Sequence, residues 1–205
     1  MTPISVQLYS LREASEQDFD AVLEELADIG YAGVEPFNLF GKTPREFRAQ
    51  VESLGMKVSS SHTPWANRSP LDEVVDALGE LGLSRAIGGF MPDDFEDLDA
   101  VRRTADTCQG LIDQLGPQGL ELAIHNHWWE FKLMEGRSAM HHLTEMVPDL
   151  RYELDTYWAA NFGACDPAAE LARIAEKAPL LHIKDGPLEK KEPMVAVGQG
   201  KVDVR

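Results

Sequence analysis

Short apolar runs alternate with amphipathic stretches along the whole chain. Ile4, Val6 and Leu8 begin it with the period of a strand. Over 17–29, Phe19, Val22, Leu23, Leu26 and Ala27 recur at helical spacing, and Gly30 falls where a left-handed residue closes a helix. Residues 32–35 read as the next strand. Thr43, Pro44 and Glu46 carry a capping box with proline at the first helical position, and that helix stops near Gly55. Residues 57–62 read as a third strand, Ser69-Pro70 starts a helix that ends near Gly82, and 85–89 is a weak fourth strand. A long helix covers 96–115, with Leu98, Val101, Cys108, Leu111, Ile112 and Leu115 apolar. Three more strand-like runs, 122–131, 152–158 and 180–186, are separated by helices over 138–147 and 167–177.

Helix, glycine, short gap and strand recur at Gly30, Gly55, Gly82 and Gly116, which is the rhythm of a βα unit. Strands alternating with helices imply a parallel sheet covered by helices. Seven such units favour a (β/α) TIM barrel over an open doubly wound sheet. No Gly-x-Gly-x-x-Gly turn follows the first strand, which weakens a dinucleotide-binding reading. No linker or low-complexity tract interrupts 1–205, so a single barrel domain is expected. A closed barrel takes eight strands and typically about 250 residues. The sequence stops at Arg205, soon after the glycine loop 197–200, so the eighth βα unit is expected to be missing from it. Open sheet edges invite pairing with another chain, which makes a homo-oligomer one expectation.

Composition narrows the partners. The formal net charge is −16, and the only basic pairs are Arg102-Arg103 and Lys190-Lys191. Nucleic acid is therefore not the expected partner, because no basic patch is available to displace phosphate counterions. No apolar run approaches the ~18 residues of a membrane span. The first residues lack a charged-then-apolar signal segment. Two cysteines make no disulfide framework, so a reducing cytoplasmic compartment is expected, with Cys108 as a small core residue.

The last three strand-like runs end in polar side chains that can hold a divalent ion. Glu130, Asp155 and His182 lie at successive strand ends, the rim at which such barrels do chemistry. Two carboxylates and one imidazole suit Mn²⁺, Mg²⁺, Co²⁺ or Zn²⁺ and leave positions open for water or a chelating substrate. Alternation turns Glu153 and Asp155 to the same face. His125 and His127 share a face of their strand, and either can replace Glu130 as ligand or donate to a substrate hydroxyl; His127 is nearer the rim. His141 and His142 are expected on a solvated helix face. Trp65, Trp128, Trp129 and Trp158 all fall just beyond strand ends, forming an apolar wall suited to a sugar or polyol. Glu35, His62 and Lys184 also lie at strand ends. Glu35 and His62 join Trp65, Trp128 and Trp158 as candidate substrate contacts. Lys184 either stabilises an oxyanion, relays a proton or forms a structural ion pair.

The segments 125–131, 153–158, 181–187 and 198–203 resemble the sugar phosphate isomerase/epimerase group of the xylose isomerase-like TIM barrel superfamily. The likeness runs through essentially the whole chain from Gln7 onward. It implies a (β/α)₈ barrel and a divalent metal held here by Glu130, Asp155 and His182. The family's fourth ligand is a glutamate on strand eight, for which this sequence has no position. The resemblance further implies proton transfer beside a sugar carbonyl through an enediolate, with Glu130, His127 and Lys184 as the catalytic candidates. The substrate would be a sugar, keto-sugar or cyclitol. Related members act as lyases or dehydratases, and another branch cleaves abasic DNA, which the acidic charge disfavours. A non-catalytic barrel subunit is the remaining alternative.

Overall fold

A computed structural model describes residues 3–203. Its contacts divide into two units, 3–87 with 118–120, and 88–117 with 121–203.

The first unit contains β1 (Ser5–Gln7), α1 (Arg12–Gln17), α2 (Phe19–Ile29), β2 (Gly33–Glu35), α3 (Pro44–Ser53), β3 (Lys57–Val58) and α4 (Leu71–Leu81). The strands form a parallel sheet in that order, with Val6 beside Val34 and Val34 beside Val58. Asp18 explains why the predicted helix over 17–29 begins late. Its carboxylate accepts the Ala21 N–H at 3.0 Å, so Asp18 caps α2 while α1 ends before it. The capping box forms as expected, with Glu46 N–H donating to Thr43 Oγ1 and Thr43 N–H to Glu46 Oε2. Gly30 closes α2 at φ +97°, a conformation that a β-carbon would strain. Leu8, Leu23, Val34, Phe47 and Val51 are fully buried at the centre of this unit. The expected strand over 57–62 keeps ladder geometry only through Val58. Beyond it, Ser59 N–H still reaches Val34 O at 3.0 Å and His62 N–H reaches Pro36 O at 2.9 Å.

The chain passes into the second unit within β4 (Arg85–Gly89). There follow α5 (Leu98–Leu115), β5 (Glu121–His125), a small antiparallel hairpin of β6 (Leu133–Met134) and β7 (Arg137–Ser138), and α6 (Ala139–Met146). Next come β8 (Arg151–Asp155), α7 (Thr156–Ala159), α8 (Pro167–Ile174) and β9 (Leu180–His182). The larger sheet has the order β4-β5-β8-β9, and its β5-β8 and β8-β9 pairs are parallel. Phe131, Leu122, Leu143, Tyr152 and Leu154 are buried in this unit.

Several sequence expectations are corrected here. Gly116 does not take the left-handed turn after α5; the helix runs on into a 3₁₀ turn and Gly119 takes it at φ +73°. The three late strands are shorter than their apolar runs, because a 3₁₀ turn at Trp129–Phe131 follows β5 and α7 follows β8 directly. His142 does not lie on a solvated face. It is buried, and its Nε2 lies 2.9 Å from Met134 O, which ties α6 to the hairpin. No helix among the described residues is long and apolar enough to cross a membrane.

Candidate functional site

Strand register builds the site in the second unit. His125 at the end of β5 lies beside Glu153 in β8, and Asp155 two residues on lies beside His182 at the end of β9. Parallel neighbours in register point the same way, and residues two apart share a face. His125, Glu153, Asp155 and His182 therefore converge. One ligand atom each from His125, Glu153 and His182 lies within 4.8 Å of the others. Glu153 and Asp155 are fully buried and His125 nearly so. Side chains also bind the strand ends together. The Asn126 amide donates to Asp155 O and accepts the Asp155 N–H, while Thr156 Oγ1 donates to His182 O at 3.0 Å.

Of the three ligands read from the sequence, only His182 belongs to this set. Asp155 stands against it and contacts both of its histidines, with Oδ2 3.8 Å from His182 Nδ1. Its Oδ1 accepts the Trp158 N–H at 3.0 Å, capping α7, and its Oδ2 lies 2.6 Å from Lys184 Nζ and 3.4 Å from His125 Nε2. Glu130 does not join the cluster. The 3₁₀ turn folds it back so that Oε2 accepts the His127 N–H at 3.0 Å. Local capping thus takes up one oxygen of each carboxylate, Glu130 Oε2 and Asp155 Oδ1, while His125 and Glu153 join His182 in the cluster. Period-two alternation was the available signal for Glu153, which faces the same way as Asp155.

The buried carboxyls differ in charge state. Burial pushes Asp155 up, but the Lys184 ammonium and hydrogen bonds with His125 and His182 outweigh it and hold the group well below its ordinary range. Glu130 goes the other way. Burial, opposed by hydrogen bonds from its own and His127's backbone and from Trp129 and aided by the Asp155 charge, raises it to about 8. A carboxyl poised near neutrality beside charged partners is suited to acid–base work.

Aromatic rings surround this centre. Trp129 stacks on His127 at 4.3 Å, Trp128 lies 5.0 Å from Trp158, and Phe162 packs against both Trp128 and Trp158. In the first unit, Glu35 and His62 are buried and bonded to each other at 3.1 Å. Gln7 Nε2 reaches His62 Nδ1, Ser60 donates to Glu35 Oε2, and Trp65 packs on His62 at 4.4 Å.

Asp185 carries a role that the sequence reading missed. It accepts backbone N–H groups from Gly186, Gly198, Gly200 and Val202 at 2.8–3.1 Å, drawing the segment after β9 into a closed loop. A β-carbon at Gly200 would collide with the Asp185 carboxylate, and one at Gly186 would sit 2.7 Å from the Tyr157 ring. Glycines spaced two apart after an Asp-Gly pair were the sequence trace of this cage.

The donor set fits a divalent cation. Two imidazoles and a carboxylate are ligands for a borderline ion, and a cation there would lie beside two fully buried carboxylates.

Known proteins carry the same architecture. The family profile described as xylose isomerase-like TIM barrel matches residues 23–205, and the chain belongs to that family. It is 27% identical over 198 residues to an inosose dehydratase of Geobacillus kaustophilus, covering 81% of this chain; it spans only 61% of that relative's length. Among solved structures it resembles a sugar phosphate isomerase/epimerase from Parabacteroides distasonis, with a TM-score of 0.77 and 24% identity over 94% of this chain and 78% of the other. It also resembles a probable 3-DHS dehydratase from Bacillus anthracis, with a TM-score of 0.70 and 12% identity over 98% and 86% of the two chains. The fold is accordingly that of TIM-barrel enzymes.

Proposed function

We propose that the chain is a barrel domain of a divalent-metal-dependent isomerase or epimerase that moves a proton beside the carbonyl of a sugar, keto-sugar or cyclitol. The observation that carries this reading is the His125–Glu153–His182 cluster, together with Glu130, a carboxyl raised to about 8 in the turn that follows β5. His125, Glu153 and His182 would hold the ion, with Asp155 behind them bonded to Lys184. When bound, such an ion supplies Lewis-acid polarisation of a carbonyl.

The chain's own groups account for the proton movements. Glu130 takes a proton from the carbon next to the carbonyl, and the electron pair moves to the carbonyl oxygen. Lys184, held at 2.6 Å from Asp155, presents positive charge to that oxygen. Reprotonation of the same carbon on the other face gives an epimer, and reprotonation of the neighbouring carbon gives an isomer. His127, whose N–H fixes Glu130, is positioned to exchange the proton at oxygen. The tryptophans exclude water and offer flat faces to a sugar ring. A neutral polyol is preferred over nucleic acid by the acidic charge, and free Cys108 and Cys165 suit a reducing cytoplasm.

The second reading is a dehydratase on the same site, in which the electron pair expels a neighbouring hydroxyl that takes a proton from His127 and leaves as water. The inosose dehydratase and 3-DHS dehydratase likenesses favour it. One experiment tests both. The protein, loaded with Mn²⁺, Co²⁺ or Zn²⁺, is incubated with keto-sugars and inososes in D₂O and followed by NMR and mass spectrometry. Deuterium at carbon without loss of water supports the isomerase, deuterium with loss of water supports the dehydratase, and no exchange on any substrate contradicts both.

A further inference from the structure

A groove of about 580 Å³ lies beside the candidate site in the second unit. That is the size of ordinary small-molecule sites. Three loops frame it, following β4, β5 and β8. They bring Asp93 and Glu96, then Trp128, Trp129 and Lys132, and finally Asn161. The two indoles meet at 4.7 Å with a 71° angle, so they form a corner of apolar wall and not a plugged core. Asp93 is exposed and offers a carboxylate to hydroxyl donors. Lys132 Nζ donates to Glu96 O at 2.6 Å, which fixes its position beside the Glu96 loop.

Backbone strain marks the third wall. Asn161 and Phe162 have φ values of +42° and +54°, followed by Gly163 at +89°. Two consecutive non-glycine residues in the left-handed region cost energy that packing elsewhere must offset, and such strain concentrates at working sites. Phe162 is pinned by Trp128 at 5.5 Å and Trp158 at 6.2 Å, and the turn presents Asn161 to the groove.

The groove connects to the chemistry through one ring. His127 stacks on Trp129 at 4.3 Å and lies 5.1 Å from His125. A ligand ring against the indoles would therefore sit one imidazole away from the metal-ligand set. Aromatic faces with a carboxylate and an amide at their edge match the apolar faces and rim hydroxyls of a pyranose. A phosphate would meet Asp93 and Glu96 at the same rim, where Lys132 is already engaged by Glu96 O.

We propose that this groove is a second sugar-ring subsite, which holds the neighbouring uncharged ring when the sugar at the cluster carries one and disfavours a phosphate there. The proposal rests on the sugar-site reading above, but its test reads binding alone. Saturation-transfer-difference NMR on the full chain as purified would use methyl β-glucopyranoside, cellobiose and glucose 6-phosphate as probes. The expected result is saturable transfer to both neutral probes, with cellobiose tighter by about tenfold and glucose 6-phosphate weakest. Trp129→Ala and Asp93→Ala should each weaken cellobiose binding at least about fivefold. Asp93 is exposed, so its variant keeps the question answerable if Trp129→Ala does not fold. Absence of saturable transfer overturns the proposal. So does phosphate-ester binding as tight as that of methyl glucoside, or a well-folded Asp93→Ala that binds cellobiose like the wild type. Because no turnover or metal content enters the readout, the deuterium experiment can fail while this one succeeds, and the reverse.

Discussion

The cluster at the ends of β5, β8 and β9 and the loop that closes on Asp185 both bury carboxylates. Their partners differ. Asp185 faces four backbone N–H groups, which are neutral, fixed donors that fill its lone pairs. Glu153 and Asp155 face imidazoles and a lysine, which can exchange protons or share a cation. Burial raises the Asp185 carboxyl, but the backbone donors to it win and hold it low. A carboxylate saturated by backbone organises the chain; one surrounded by titratable side chains is available for chemistry.

The widest separation should come from the cluster. Glu153→Gln and His125→Ala should each weaken Zn²⁺ or Co²⁺ binding by at least about 100-fold, measured by calorimetric titration. Asp155→Asn, which keeps the α7 cap acceptor, should cost less. Equal losses for Asp155→Asn and Glu153→Gln would erase the division between the two residues.

Gly200→Ala probes the other region. Its β-carbon collides with the Asp185 carboxylate, so the loop should open and the protein lose about 1–3 kcal/mol by chemical denaturation. Metal affinity should change little, and hydrogen exchange at Gly198, Gly200 and Val202 should speed up. A large loss of metal binding in this variant would mean that the two regions are one.

Glu130 sharpens the contrast through pH. Its carboxyl is raised from 4.5 to about 8, so the folded state holds the proton more tightly than the unfolded state. Stability should fall as pH rises from about 4.5 to about 8, by on the order of 1 kcal/mol per pH unit, and level off above. Glu130→Gln should remove that slope in metal-free protein. The smallest effect is expected at the loop surface. Lys201 and Glu189 meet at 3.2 Å in the open, and Lys201→Ala should change stability by less than about 0.5 kcal/mol.

The alternation of strands and helices was legible because burial imposes periods of 2 and 3.6 on the sequence. The caps at Thr43 and Gly30 were legible because few residue types can serve there. The three strands that form the site were also found, with His182 at the end of one. The candidate cluster was legible only in part, and the reason is local. An apolar run does not reveal where the strand stops, since Trp128, Trp129, Tyr157 and Trp158 continue the apolar pattern after β5 and β8 have ended. Reading to the end of the run selected Glu130, which lies in the turn beyond β5, whereas Asp155 is the last residue of β8 itself. The turns that follow engage both in short-range hydrogen bonds, and the competition between a cap and a cluster is decided by geometry that spacing does not contain. Asp185 was passed over for a related cause: its partners are backbone groups, which leave no side-chain signature beyond the glycines that make room.

The count of imidazoles around the bound ion tests the account most directly. X-ray absorption spectroscopy of the Zn²⁺- or Co²⁺-loaded protein reads that count from multiple scattering off the histidine rings. The cluster of His125, Glu153 and His182 predicts at least two imidazoles together with carboxylate oxygen. A single imidazole would return the ion to Glu130, Asp155 and His182, and no specific uptake would remove the metal from the account altogether.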